Sequence, residues 1–78
     1  MKHFQPRDEP TPGVDPLVWG LHSLLIKREI PCAYCARKSG ISLPTLYKWF
    51  KGRNVPTISN FQAALNAIGY ELVIAPRN

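Results

Sequence analysis

Five cations define the chemistry open to this chain. Arg37, Lys38, Lys48, Lys51 and Arg53 fall between Glu29 and Glu71, a stretch with no acidic residue. Unopposed positive charge on a small domain attracts polyanions. Nucleic acid is the usual partner, and an anionic membrane surface is the competing one. A second candidate is Cys32-Ala-Tyr-Cys35, a C-x-x-C at the start of a helical pattern. Thiols so placed can ionise easily and join in a disulfide, which would make a redox switch. The plainer reading takes Cys35 as a small buried apolar residue, and it is preferred here. No metal site is expected. Zinc wants four ligands; beside the two cysteines there are only His3, in a proline-rich segment, and His22, in a helical one. Catalysis is not expected either. The acids are Asp8, Glu9, Asp15, Glu29 and Glu71, and no base, nucleophile and orienting group fall together among them. No cofactor is called for.

The elements that must position the cations follow from local patterns. A short helical pattern, Cys32–Ser39, ends on Gly40, whose backbone tolerates the left-handed turn. The turn Gly40-Ile41-Ser42 follows. A second pattern, Leu43–Lys51, starts behind the cap Ser42 and stops at Gly52. Helices joined by so tight a turn cross steeply and push the second one outward. Such a pair can send one helix into a DNA major groove while the other crosses the backbone. In the second helix Leu46, Trp49 and Phe50 lie three and four apart and form its buried side. Thr45, Tyr47, Lys48 and Lys51 take the other side. The steep crossing wants a small residue, which Ala36 provides.

Two further helices support this pair. Asp15-Pro16 caps and opens the first, with an apolar stripe of Leu17, Val18, Leu21, Leu24 and Leu25. Thr57 caps the last, whose stripe is Ile58, Phe61, Ala64, Leu65 and Ile68, and Gly69 ends it. Tyr70–Ala75 is β-branched and apolar and reads as a strand closed by Pro76. A lone strand leaves its backbone unpaired. Its simplest partner is the same strand of a second copy, in a two-fold antiparallel ribbon; the alternative is an extended tail on its own helices. Met1–Val14 reads as a flexible arm. The organisation is therefore an arm (1–14), a helical domain (15–69) and a strand or dimerisation segment (70–78). A chain of 78 residues with net charge +5 makes one small domain with a marginal core, which dimerisation would help. It has no apolar run long enough to span a bilayer and no secretory pattern at the N-terminus, so a cytoplasmic location with reduced cysteines is expected.

The same residues resemble the Cro/cI-like (Xre-type) helix-turn-helix domain. Ala36, Gly40-Ile41-Ser42, Thr45-Leu46, Lys48-Trp49 and Gly52, then Pro56 and an amphipathic helix ending at Gly69, carry the likeness, which runs from Val18 to Gly69. The resemblance implies an all-α, compact four-helix, lambda-repressor-like domain. It implies a transcription regulator, most simply a repressor, that binds a palindromic operator on double-stranded DNA as a homodimer. Leu43, Pro44 and Lys48 match positions that reach bases. Leu43 and Pro44 depart from the polar residues common there and would pack on thymine methyl groups instead. Thr45 and Tyr47 then become the polar readers beside Lys48, which can donate to guanine, with Ser42 at the helix start on the same surface. Lys51, Arg53 and Asn54 match positions that hold phosphates. Cys32 stands where the family often has a phosphate-binding glutamine, and Cys35 where it usually has leucine. The ending Gly69-Tyr-Glu-Leu-Val-Ile is similar to the C-terminal strand of small phage regulators and of antitoxins in this family. That likeness makes Tyr70, Leu72, Val73 and Ile74 dimer contacts. It also raises a rival function, an antitoxin that neutralises a toxin protein and regulates itself through the same domain. An RNA-binding domain is a weaker reading, since it wants exposed aromatics for stacking.

Overall fold

Helix starts in this chain are set by side-chain caps. The computed structural model describes residues 13–77. It contains α1 (Pro16–Lys27), α2 (Cys32–Ser39), α3 (Leu43–Phe50) and α4 (Ile58–Ala67), with no strand among the described residues. Asp15 Oδ1 accepts the Leu17 N–H at 2.8 Å, and Pro16 takes the first helical position. Ser42 Oγ accepts from Thr45 N–H at 3.2 Å, and Thr57 Oγ1 from Asn60 N–H at 3.1 Å. Each such cap contributes on the order of 1 kcal/mol. Only α2, which follows Pro31, lacks a side-chain cap.

Helix ends share one device. At the end of α3, Arg53 N–H donates to Lys48 O at 2.8 Å and Gly52 N–H to Trp49 O at 3.0 Å. The same paired bonds close α4 through Tyr70 and Gly69, and α1 through Ile30 and Glu29. The pattern needs a left-handed residue just past the helix. Gly52 supplies it after α3, with φ +76°. After α1 the residue is Glu29, with φ +56°, the one non-glycine residue with positive φ among the described residues. Gly40 ends α2 at φ +80° and donates its N–H to Ala36 O at 3.0 Å.

The all-α, four-helix expectation holds. α2 packs on both α3 and α4, and α1 packs on α3. The core joins Val18, Leu21 and Leu25 with Cys35, Ala36, Leu46, Trp49, Phe61, Ala64 and Leu65. Ala36 is buried, as the steep crossing requires.

Several expectations need correcting. Leu17 and Ile58 belong to the predicted apolar stripes, yet both are solvent-exposed. They sit in the first turns of α1 and α4, at the rim of a groove that no facing element covers among the described residues. Phe50 is only half-buried and stacks on His22, with ring centroids 4.1 Å apart and planes 7° from parallel. α3 stops at Phe50, and Lys51 is its cap rather than its last turn. The expected strand over Tyr70–Ala75 does not form. Among the described residues a single segment has no edge to pair with, and residues 71–77 make no backbone–backbone hydrogen bond there. Tyr70 is tied to its own chain instead: Arg28 Nη1 donates to the Tyr70 hydroxyl at 2.6 Å and lies over its ring. Residues 1–12 of the expected arm lie outside the described residues. Val14, assigned to that arm, is part of the core. The Gly13 carbonyl beside it lies against Gly52, so close that a Cβ on Gly52 would stand 2.6 Å from its oxygen.

Candidate nucleic-acid interface

α3 has two sides with different duties. Leu46 and Trp49 are buried, and Leu43 and Phe50 pack half-buried against the core. Pro44, Tyr47 and Lys48 are exposed, and Lys51 follows one turn on, also exposed. Residues three and four apart share one helix face. The four therefore form a single outer stripe, opposite the core.

The start of this stripe carries a hydroxyl pair. Ser42 is exposed, and its Oγ lies 2.7 Å from the half-buried Thr45 Oγ1. Ser42 Oγ already accepts the Thr45 N–H. One hydroxyl donates to the other, so whichever way the pair is oriented one hydroxyl hydrogen remains to be offered elsewhere. The far end is the loop after α3. Arg53 and Asn54 are exposed there, while their N–H groups are held by Lys48 O at 2.8 and 3.4 Å. The loop backbone is thus pinned to α3 and its side chains point away. Lys48, Lys51 and Arg53 form no ion pair among the described residues, so their charge is not neutralised within the fold.

The five cations prominent in the sequence belong to different elements. Lys48, Lys51 and Arg53 gather on α3 and its loop. Arg37 and Lys38 instead lie over the ring of Tyr34 on α2, at 5.7 and 5.8 Å from its centroid. Sequence reasoning passed over Tyr34. Its spacing of three and four from the two cations was the available signal.

The cysteines do not make a reactive pair. Cys35 is fully buried, and its thiol donates to Ala64 O at 3.6 Å. Burial raises its pKa, and the neighbouring Cys32 raises it further. Burial also raises that of Cys32, against a smaller lowering by a backbone hydrogen bond. Raised thiol pKa values mean less thiolate at neutral pH, the reverse of what a redox sensor needs. His22, half-buried on Phe50, has its pKa lowered by burial, which favours the neutral ring. Trp19 Nε1 and Ser23 Oγ, one turn apart on α1, are buried without a partner among the described residues. No group of three His, Cys, Asp or Glu among those residues could hold a metal ion. None of their helices is long and apolar enough to cross a membrane.

Comparison with known families agrees with this geometry. A helix-turn-helix family model matches residues 34–74, over half of the chain. The match takes in most of α2, all of α3 and α4, and the loop between them. No curated protein sequence and no solved structure matches.

Proposed function

The chain belongs to the helix-turn-helix family, of the Xre/Cro-cI type, and we propose that it is a homodimeric repressor reading a palindromic operator with the outer stripe of α3. The family is one of DNA-binding regulators and not of enzymes. The observation that carries the finer reading is the division of α3. Its inner side is core, while Pro44, Tyr47, Lys48 and Lys51 stand exposed together with Ser42, Arg53 and Asn54 at its ends.

In this reading Lys48 donates to guanine O6 or N7, and Tyr47 hydrogen-bonds beside it. The Ser42–Thr45 pair offers its remaining hydroxyl hydrogen. Pro44, with the outer edge of Leu43, packs on thymine methyl groups. Lys51, Arg53 and Asn54 hold phosphates and set the register. A two-fold dimer places its α3 helices in half-sites about one helical turn apart, roughly 34 Å. Contacts between copies come from the C-terminal segment, where Val73 and Ile74 are exposed, with Tyr70 and Leu72 holding it to its own helices. A cytoplasmic location follows from the DNA target. The alternative, an antitoxin that neutralises a toxin protein, rests on the same exposed apolar side chains; it predicts a stable complex with a second protein.

Fluorescence anisotropy tests the reading. The purified protein is titrated into a duplex from upstream of its own gene and into a scrambled duplex, at two salt concentrations. A preference of roughly a thousandfold or more for the first supports a sequence-specific autoregulator. Equal, steeply salt-dependent binding to both leaves only a basic surface. No binding to either shifts the weight to the antitoxin.

A further inference from the structure

The left-handed backbone of Glu29 points to a ligand. Its φ of +56° is the one positive value among the described non-glycine residues. Such residues cost free energy and gather at binding sites. Glycine would close α1 at less cost, so the helix end itself does not call for a carboxylate. Glu29 is exposed, and its carboxylate has no ion pair or hydrogen bond among the described residues. It lines a recess of about 510 Å³ between the end of α1, the start of α2 and the end of α4. Ile30, Pro31, Ala67 and Ile68 give the recess an apolar lining, and Tyr34 adds an aromatic ring. Small-molecule sites typically measure roughly 300–1,000 Å³.

Backbone bonds hold the walls in place. Glu29 and Ile30 donate their N–H groups to Ile26 O and Leu25 O, at 3.1 and 2.8 Å. Ile68 and Gly69 donate to Leu65 O and Asn66 O, both at 3.1 Å. The 2.6 Å hydrogen bond from Arg28 to the Tyr70 hydroxyl ties the end of α1 to the end of α4. The recess is therefore formed before a ligand arrives. Residues 1–12 join the domain at the opposite end of α1, about 18 Å away along the helix.

The side chains around the recess specify an occupant. Tyr34 is 37% exposed and offers a flat apolar face. Arg37 Cζ and Lys38 Nζ stand 5.7 and 5.8 Å from the centre of its ring. The two cations repel a cationic ligand and attract an anionic group joined to whatever rests beside the ring. The Glu29 carboxylate only accepts, so it asks for N–H donors. A flat body with N–H donors on one edge and an anion attached elsewhere is a nucleotide. Bases stack on aromatic side chains, and phosphate pairs with Arg and Lys. Guanine alone among the bases presents N–H donors on two neighbouring atoms of its pairing edge, and one carboxylate can accept both.

We propose that this recess binds a guanine nucleotide. The base lies against Tyr34, Glu29 accepts from its N1–H and N2–H, and Arg37 and Lys38 hold the phosphate. None of these residues belongs to the outer stripe of α3, so the proposal stands apart from the reading of that stripe.

Isothermal titration calorimetry of the full chain with guanosine monophosphate (GMP) tests it, beside AMP, guanosine and inorganic phosphate. GMP should bind once per chain, roughly tenfold or more tighter than each of the other three, as the loss of charge-assisted hydrogen bonds implies. Glu29→Gln should remove the preference for GMP over AMP. Tyr34→Ala should weaken GMP binding by roughly tenfold or more, whereas Tyr34→Phe should retain it. The double variant Arg37→Ala/Lys38→Ala should weaken GMP but not guanosine. All four residues are exposed, so the helices should be retained, which circular dichroism checks. Glu29→Gln and Tyr34→Phe should leave duplex binding in the anisotropy assay unchanged, so this proposal and the DNA reading fail separately. No GMP binding at millimolar concentration overturns the site. GMP binding that survives both Glu29→Gln and Tyr34→Ala unchanged overturns the recess. Equal affinity of the wild type for GMP and AMP overturns the role of Glu29.

Discussion

Gly52 and Gly40 have nearly the same backbone, yet alanine should cost much more at Gly52. Both lie in the left-handed region, at φ +76° and +80°. A Cβ there costs on the order of 1 kcal/mol. At Gly40 the cost ends with that, because nothing stands within 4 Å of the Cβ position. At Gly52 the new Cβ would lie 2.6 Å from Gly13 O, 3.0 Å from Gly13 C and 3.4 Å from Val14 Cγ2. A backbone carbonyl cannot swing aside like the tip of a long side chain. Gly13 and Val14 must therefore shift, and Val14 is a core residue. Loss of its burial adds roughly 1.5–3 kcal/mol. The expected losses are about 1 kcal/mol for Gly40→Ala and roughly 2.5–4 kcal/mol for Gly52→Ala. Against a total of roughly 4–12 kcal/mol for a chain of this size, the second is a large fraction. Urea unfolding followed by the fluorescence of buried Trp49 measures both. A double-mutant cycle adds a check: Val14→Ala should cost less in the Gly52→Ala background than alone. Equal losses at the two glycines, with additive behaviour of Val14, would refute the docking of Gly13–Val14 on the end of α3.

Other outcomes follow from the same geometry. Lys48→Ala should reduce discrimination between operator and scrambled duplex by about 1–3 kcal/mol, whereas Lys51→Ala should weaken both and flatten the salt slope, each read by anisotropy at unchanged stability. Glu29→Gly should raise stability by about 0.5–1 kcal/mol, read as a higher urea midpoint at constant slope, because it relieves a left-handed non-glycine residue at the end of α1. Burial lowers the pKa of His22 below its ordinary 6.5, so below that pH the unfolded chain takes up a proton that the folded chain refuses. Stability should therefore be full above pH 6.5 and fall as the pH drops toward the folded value; His22→Phe should flatten this part of the pH profile in urea melts.

Much of the fold was legible because its signals are local. Asp15-Pro16, Ser42 and Thr57 cap helices with their own side chains, and Gly40, Gly52 and Gly69 end them. Glu29 closes α1 in the same way with no residue type to announce it. The stripes predicted the inner sides correctly but included Leu17 and Ile58, since periodicity tells which way a residue points and not how far the facing element reaches. Val14 read as part of an arm because its docking depends on a contact between Gly13 and Gly52, far apart in sequence. Tyr70–Ala75 had strand composition, but a strand also requires an edge to join, and the described residues offer none. At the candidate interface, spacing picked out Tyr47, Lys48 and Lys51 on the outer stripe of α3 but set Thr45 beside them, where the exposed residue is Pro44. The half-burial of Leu43 and the commitment of Thr45 to Ser42 depend on packing and angles that spacing does not encode. The run of five cations divides between α2 and the end of α3 because a linear stretch spans both elements.

The two-sidedness of α3 bears on how such a protein changes over generations. What holds the helix in place is Leu46, Trp49 and Gly52; what it presents is Pro44, Tyr47, Lys48 and Lys51. The two sets share no residue. Substitutions in the presented set leave the core untouched, so selection for foldedness does not filter them. On the proposed reading, descendants of this chain can acquire new target sequences one outward residue at a time while inheriting the same scaffold. The helix behaves as an exchangeable label on a fixed mount.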